Sequence, residues 1–105
     1  MKKIIDGLRY DTEIGVEIGS ADAHCPRSDF NWWEATLYHT PRSGRYFLAG
    51  EGGPMTAFSA PVNGNMRGYG ERIIPMSAED ALEWAEQHLT VDEVEAAFGD
   101  QVRDA

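Results

Sequence analysis

The chain has 105 residues, with 18 acidic against 9 basic side chains and a formal charge of -9. That length allows one domain, and 42% apolar residues with three Trp, four Tyr and four Phe exclude a disordered acidic tail. A pI near 4.6 argues against a protein that grips phosphate backbones or an anionic membrane, and it favours a basic partner.

Residues 2–11 read as a β-hairpin turning at Asp6-Gly7, a pair suited to a type I′ turn because both positions need positive φ. Asp11 or Thr12 then caps a short predicted helix carrying Ile14, Val16 and Ile18, against which Gly15 and Gly19 count. Residues 20–31 are polar and irregular, broken at Pro26. Residues 32–40 read as a strand with Trp32, Glu34, Thr36 and Tyr38 on one side and Trp33, Ala35, Leu37 and His39 on the other. One of the two adjacent indoles therefore joins the core while the other faces outward. Pro41-Arg42-Ser43-Gly44 is a turn, and residues 45–50 form the returning strand.

Gly50-Glu51-Gly52-Gly53-Pro54 is expected to end that strand in a tight turn with positive φ at Gly52 or Gly53. A loop-rich connection over 55–70 follows, and residues 71–76 read as an edge strand because Pro75 cannot donate to a ladder. Ser77-Ala78-Glu79-Asp80 approximates a capping box for a helix with Ala78, Ala81, Leu82, Ala85 and Leu89 on one face. Thr90-Val91-Asp92-Glu93 is a regular box for a second helix with Val91, Val94, Ala97 and Phe98 inward and Gly99 at C′. The expected fold is α+β: an antiparallel sheet of about five strands, two hairpins plus one strand, covered by two C-terminal helices in a single domain over residues 1–105.

The charge is not evenly spread. Residues 78–105 carry nine acids against Arg103 alone, a net of -8, while residues 1–77 carry only -1. At ~100° per residue, Glu79, Glu83 and Glu86 share a stripe on the first helix about 10 Å long. Acidic helix faces often serve solubility, and early-helix acids complement the macrodipole. This stripe differs in lacking Lys or Arg at the i+4 positions, where like charges cost a few tenths of a kcal/mol. Glu79, Asp80, Glu83, Glu86, Asp92, Glu93 and Glu95 are therefore the candidate partner-binding surface, with Asp29, Trp32 and Glu34 as a secondary group.

No motif points to catalysis. His24, His39 and His88 lack metal-ligand spacing, and the glycine loop at 50–54 lacks the Lys-Ser/Thr of a phosphate loop. Cys25 is the single cysteine, which excludes an internal disulfide. No cofactor or metal is expected. Asp6 and Arg9 interrupt any signal-like apolar run, no stretch approaches a membrane span, and Lys2 stands where myristoylation needs glycine; the expected location is the cytoplasm.

Four segments carry a family likeness: residues 2–12, residues 46–54 (Tyr46-Phe47-Leu48-Ala49-Gly50-Glu51-Gly52-Gly53-Pro54), residues 70–76 (Gly70-Glu71-Arg72-Ile73-Ile74-Pro75-Met76), and residues 81–89 (Ala81-Leu82-Glu83-Trp84-Ala85-Glu86-Gln87-His88-Leu89). With them the chain resembles small acidic proteins of phages and mobile elements, among them the anti-CRISPR inhibitors of type I-C systems. The likeness covers most of the chain and is weakest over 20–28 and 55–69. It implies a non-enzymatic inhibitor in the cytoplasm of a bacterial host. Such a protein would bind a basic DNA-binding subunit of a type I CRISPR surveillance complex as a DNA mimic, touching neither nucleic acid nor membrane itself. The alternative is a mobile-element accessory protein that binds another host protein through its aromatic cluster. A small host-directed hydrolase is a third class, with no sequence feature in its favour.

Overall fold

Asp6 and Gly7 both take positive φ, 52° and 78°, and fold β1 (Lys2–Ile5) onto β2 (Leu8–Asp11) with Ile5 opposite Leu8. The computed structural model describes all of residues 1–105. The Met1 ammonium donates to Thr12 Oγ1 at 2.9 Å and ties off the open end of this hairpin. Residues 12–15 make one turn on the Asp11 carbonyl, which accepts from Ile14 N and Gly15 N. The helix expected there does not form. Instead β3 (Val16–Asp22) begins, in keeping with the alternation of Val16 and Ile18. Gly19 suits the strand for a tertiary reason: a Cβ there would lie 2.6 Å from Glu93 Oε2 and 2.9 Å from Leu89 Cδ2. Its bare backbone lets β3 lie against the C-terminal helices.

β3 pairs with β4 (Trp33–Thr40), β4 with β5 (Arg45–Gly52) and β5 with β8 (Gly70–Met76), all antiparallel, in the order β3-β4-β5-β8. A bulge interrupts β3 between Glu17 and Gly19. Gly44, at φ 66°, closes the turn that sets Thr40 opposite Arg45. β8 is an edge strand, as Pro75 predicts, with that proline opposite Phe47. Between β5 and β8 the chain makes another hairpin, β6 (Ala60–Asn63) and β7 (Met66–Gly68), around Gly64 at φ 54°.

The glycines at 50–53 depart from expectation. β5 runs through to Gly52, and neither Gly52 nor Gly53 has positive φ. Close approach explains them instead. A Cβ on Gly50 would sit 2.6 Å from the Glu34 carbonyl oxygen and 2.8 Å from Phe58 Cε1, and one on Gly53 would sit 2.7 Å from the Phe30 carbonyl oxygen. The loops carrying Phe30 and Phe58 can therefore settle directly on the strand.

The fold is α+β, as expected, but the first hairpin does not extend the main sheet. It forms a separate layer behind it, and β3 takes the place in the sheet. Ala35, Leu37, Leu48 and Phe58 face forward and meet Ala81, Ala85 and Phe98 of the helices. Phe47, Ala49 and Ile73 face backward and meet Tyr10, with Ile5, Leu8 and Tyr38 around them. Phe47 stands edge-on to Tyr10 at 5.4 Å and stacks on Tyr38 at 5.1 Å. Offset and edge arrangements such as these add ~0.5–1.5 kcal/mol beyond area burial.

The helices form as the caps predict. For α1 (Ala78–His88), Ser77 Oγ accepts from Asp80 N at 3.1 Å. For α2 (Val91–Phe98), Thr90 and Glu93 complete a reciprocal capping box. Three details differ from expectation. Ala78 is exposed, Val91 is 72% exposed in the first turn of α2, and Gly99 takes φ -51° and leads into a 3₁₀ turn rather than a left-handed cap. The helix pair is therefore anchored from Ala81 to Phe98, and its two starts stand proud of the sheet.

Two substitutions test this layering in urea denaturation. Phe47→Ala is expected to cost ~3–5 kcal/mol, because the side chain is fully buried between two layers. Gly50→Ala, which adds one methyl group, is expected to cost ~1–3 kcal/mol through its clash with backbone. An unchanged midpoint in either variant contradicts the assignment.

Candidate functional site

Glu79, Asp80, Glu83 and Glu86 on α1, and Asp92 and Glu95 on α2, are all exposed. The inward residues Ala81, Ala85 and Phe98 fix the rotation of the helices and leave the carboxylates no direction but outward. Arg27 pairs with Glu51 at 2.9 Å and His24 Nδ1 lies 3.1 Å from Asp22 Oδ1; these are the only basic–acidic contacts within 4.0 Å, and neither involves a helix. Every helical carboxylate thus lacks a cationic partner.

Glu93 must be removed from that surface. Its Oε1 accepts from Thr90 N and Thr90 Oγ1, both at 3.0 Å, while Thr90 Oγ1 accepts from Glu93 N at 3.2 Å. The side chain is half-buried against Gly19 and serves as a cap. Asp80, which stands at the corresponding place in α1, makes no such return bond and keeps its carboxylate in solvent.

Of the secondary group, Trp32 is also displaced. It is only 7% exposed and cannot anchor a partner. The Arg27 guanidinium lies 4.6 Å above its ring, and Tyr69 stacks beside it at 6.5 Å. Arg27 also donates to Glu51 Oε1 at 2.9 Å and to the Tyr69 hydroxyl at 3.3 Å. Hydrogen bonding to the Glu51 carboxylate raises the Tyr69 phenol above its ordinary range, with lesser contributions from burial and charge. The cluster latches the 23–31 loop to the sheet. Asp29 is exposed but turns locally, its Oδ1 accepting from Asn31 N at 2.7 Å.

Glu34 is exposed, and the structure supplies neighbours for it that a linear reading misses. The register sets Asp22 opposite Glu34, Glu34 opposite Glu51 and Glu51 opposite Glu71. A row of four acids therefore crosses all four strands, at ~4.8 Å per step. Like charges directly opposite one another destabilise a sheet, and only Glu51 in the row has a Lys or Arg partner. Because Ala35 and Leu37 face the helices, alternation sends Glu34 to the opposite side of the sheet from the helical acids. The primary and secondary groups do not merge into one surface.

A cavity of about 930 Å³ opens on the helix side. It lies beside α1, which contributes Trp84 and His88 to its lining. Leu48, Phe58 and Ile74 line its inner wall, and Trp33 and Trp84 close one flank with ring centroids 6.3 Å apart. His88 packs on both indoles, at 5.0 and 4.9 Å, and burial there lowers its pKa below the ordinary 6.5. Cys25 is also on the wall; burial first, then the charges of Asp29 and Asp22, push its thiol upward, so it stays protonated. What this arrangement presents is an aromatic and apolar surface open to solvent. It can bind. No family model, curated protein or solved structure matches the chain.

Arg27→Ala is expected to cost ~0.5–1 kcal/mol and to speed amide exchange across residues 23–31, with Trp32 emission shifting to the red. Exchange rates unchanged in that loop would refute the latch. His88 should titrate below 6.5 by NMR. The unfolded chain then binds this proton more readily than the folded one, so the histidine's contribution holds above pH 6.5 and is lost as pH falls from there through the folded value. His88→Gln should flatten that part of the stability profile.

Proposed function

We propose that this protein is a non-enzymatic anti-CRISPR inhibitor that binds a basic, DNA-binding subunit of a type I CRISPR surveillance complex. The observation that carries the reading is the set of six exposed carboxylates on α1 and α2 with no Lys or Arg partner. The resemblance over residues 2–12, 46–54, 70–76 and 81–89 directs it to that class of target. The complex works in the cytoplasm of a bacterial host, and the inhibitor would act there.

Binding follows from charge. Three of the carboxylates lie along about 10 Å of α1, where they present the sign a Lys/Arg groove is built to hold. DNA carries one charge per ~1.7 Å of duplex axis, so the surface matches phosphate in sign more than in density. Complementary charge of this kind steers encounter and sets orientation, and it weakens as salt rises. One inhibitor would occupy one groove, reversibly, and target DNA would compete for the same side chains.

The test combines pulldown of the purified surveillance complex with target-DNA binding measured with and without the protein. Inhibition should be stoichiometric, immediate and relieved by excess DNA or raised salt. Changing Glu79, Glu83 and Glu86 together to Gln should weaken competition about tenfold or more. Undiminished inhibition by that variant refutes the acidic-face mechanism, and failure to retain any subunit refutes the target class.

A further inference from the structure

An asparagine amide is open to attack by the backbone nitrogen of the residue that follows it, provided that nitrogen is free and unshielded. The chain has three asparagines, Asn31, Asn63 and Asn65, and the fold treats them differently. After Asn31 the nitrogen is taken: Trp32 N donates to the Asp29 carbonyl oxygen at 3.1 Å. The Asn31 amide is held as well, its Nδ2 donating to Asp29 Oδ1 at 3.3 Å. After Asn65 comes Met66, which begins β7 opposite Asn63 and sets a long side chain beside its own nitrogen.

Asn63 is the exception. It ends β6, and Gly64 follows at φ 54° as the first central residue of a two-residue turn. Gly64 N donates no backbone hydrogen bond, and Asn63, Gly64 and Asn65 are all exposed. No side chain packs over the tip: a Cβ on Gly64 would meet nothing within 4 Å, and Val62 and Met66 at its base are each 65% exposed. β6 and β7 form a sheet of their own. Arg67 fastens this ribbon behind the turn, donating to Ser59 Oγ at 2.6 Å and to the Ser59 carbonyl oxygen at 2.8 Å. A two-stranded ribbon is marginal by itself, so its tip opens at little cost. Asp6-Gly7 offers the same following residue, but an ionised carboxylate is a poor electrophile.

We propose that Asn63-Gly64 is a self-modification site whose only other reactant is water. Gly64 N gives its proton to hydroxide and bonds to Asn63 Cγ. The Cγ–Nδ2 bond breaks, and the amide nitrogen leaves as ammonia after taking a proton from water, which closes a succinimide ring. A second water then opens the ring. Addition at Cγ leaves an ordinary aspartate, while addition at the main-chain carbonyl carbon of Asn63 leaves an isoaspartate, with the chain routed through the side chain. Nothing is oxidised or reduced: each chain gains water and loses ammonia. Either product adds one negative charge to the -9. The isoaspartate also lengthens the backbone by a methylene group at the residue paired with Met66, and the register there fails. The change stays within the ribbon, because neither of its strands joins the four-stranded sheet.

The test ages the full-length native protein from mildly acid to mildly alkaline pH and follows it by peptide mass spectrometry, with fragmentation separating Asn63 from Asn65. Asn63 should gain about 1 Da, the difference between a carboxyl group and an amide, and should yield both aspartate and isoaspartate. The rate should rise in proportion to hydroxide, while the Asn31 and Asn65 amides persist. It should lie within about tenfold of the rate in the chain unfolded by guanidinium chloride, as expected of a tip that opens at little cost. Asn63→Gln, whose longer side chain closes a slower ring, should abolish the gain and keep the parent's circular dichroism. Persistence of the Asn63 amide, earlier reaction at Asn31 or Asn65, aspartate without isoaspartate, or a native rate more than about tenfold below the unfolded one would each overturn the proposal.

Discussion

The structure depends on β5 being buried from both sides. Phe47 and Leu48 are adjacent, point in opposite directions and are both removed from solvent, at 0% and 5% exposure. A strand in that position needs two covers, and a chain of 105 residues has little material to supply them. The helices provide one cover, and the N-terminal hairpin, laid flat with Tyr10 against Phe47, provides the other. That demand explains why the first hairpin leaves the main sheet, and why β3 must stand in as its fourth strand.

The same shortage shapes the surface. With two short helices on the forward face, apolar positions at Ala81, Ala85 and Phe98 are committed inward, and acids occupy what remains. The cover is also incomplete. Alongside α1 a cavity remains between Met76, Trp84 and His88 and the loops at 23–31 and 55–58, with half-buried Ile74 on its inner wall. The acidic face and the aromatic cavity are thus two results of one geometric constraint, on different sides of a single helix.

Much of this was legible in the chain, wherever the determinants are local. Asp6-Gly7, Ser77 and Thr90 each act within a few residues, so the first hairpin and both helix starts could be read directly. Pro75 marked its strand as an edge for a similarly local reason. β3 was obscured because the meaning of Gly19 lies in Leu89 and Glu93, some seventy positions away. Gly50 and Gly53 looked like turn residues for the same reason: what they accommodate, Glu34, Phe58 and Phe30, comes from elsewhere. Half of the acidic row was within reach, since the turn at residues 41–44 that pairs Thr40 with Arg45 also pairs Glu34 with Glu51. Asp22 and Glu71 join it through long connections whose register no local pattern reveals. Trp32 is covered by Arg27 and Tyr69, which only the folded chain brings onto it, whereas Glu93 is held by Thr90 in the capping box that the sequence itself shows. The cavity had no signature, because it is defined by what the helices fail to reach.

The bulge in β3 and the proline in β8 fall on the two strands that have only one neighbour in the main sheet. Each spoils the straight row of backbone donors and acceptors along which an identical molecule could add itself as another strand. The inhibitor proposed above, occupying its target one for one, would have to accumulate in number to be effective. Crowded together, flat-edged sheets would turn abundance into fibre. With both borders interrupted, neither edge of the sheet offers an unbroken strand for a second copy to extend, a property the proposed inhibitor would need as much as its binding surface.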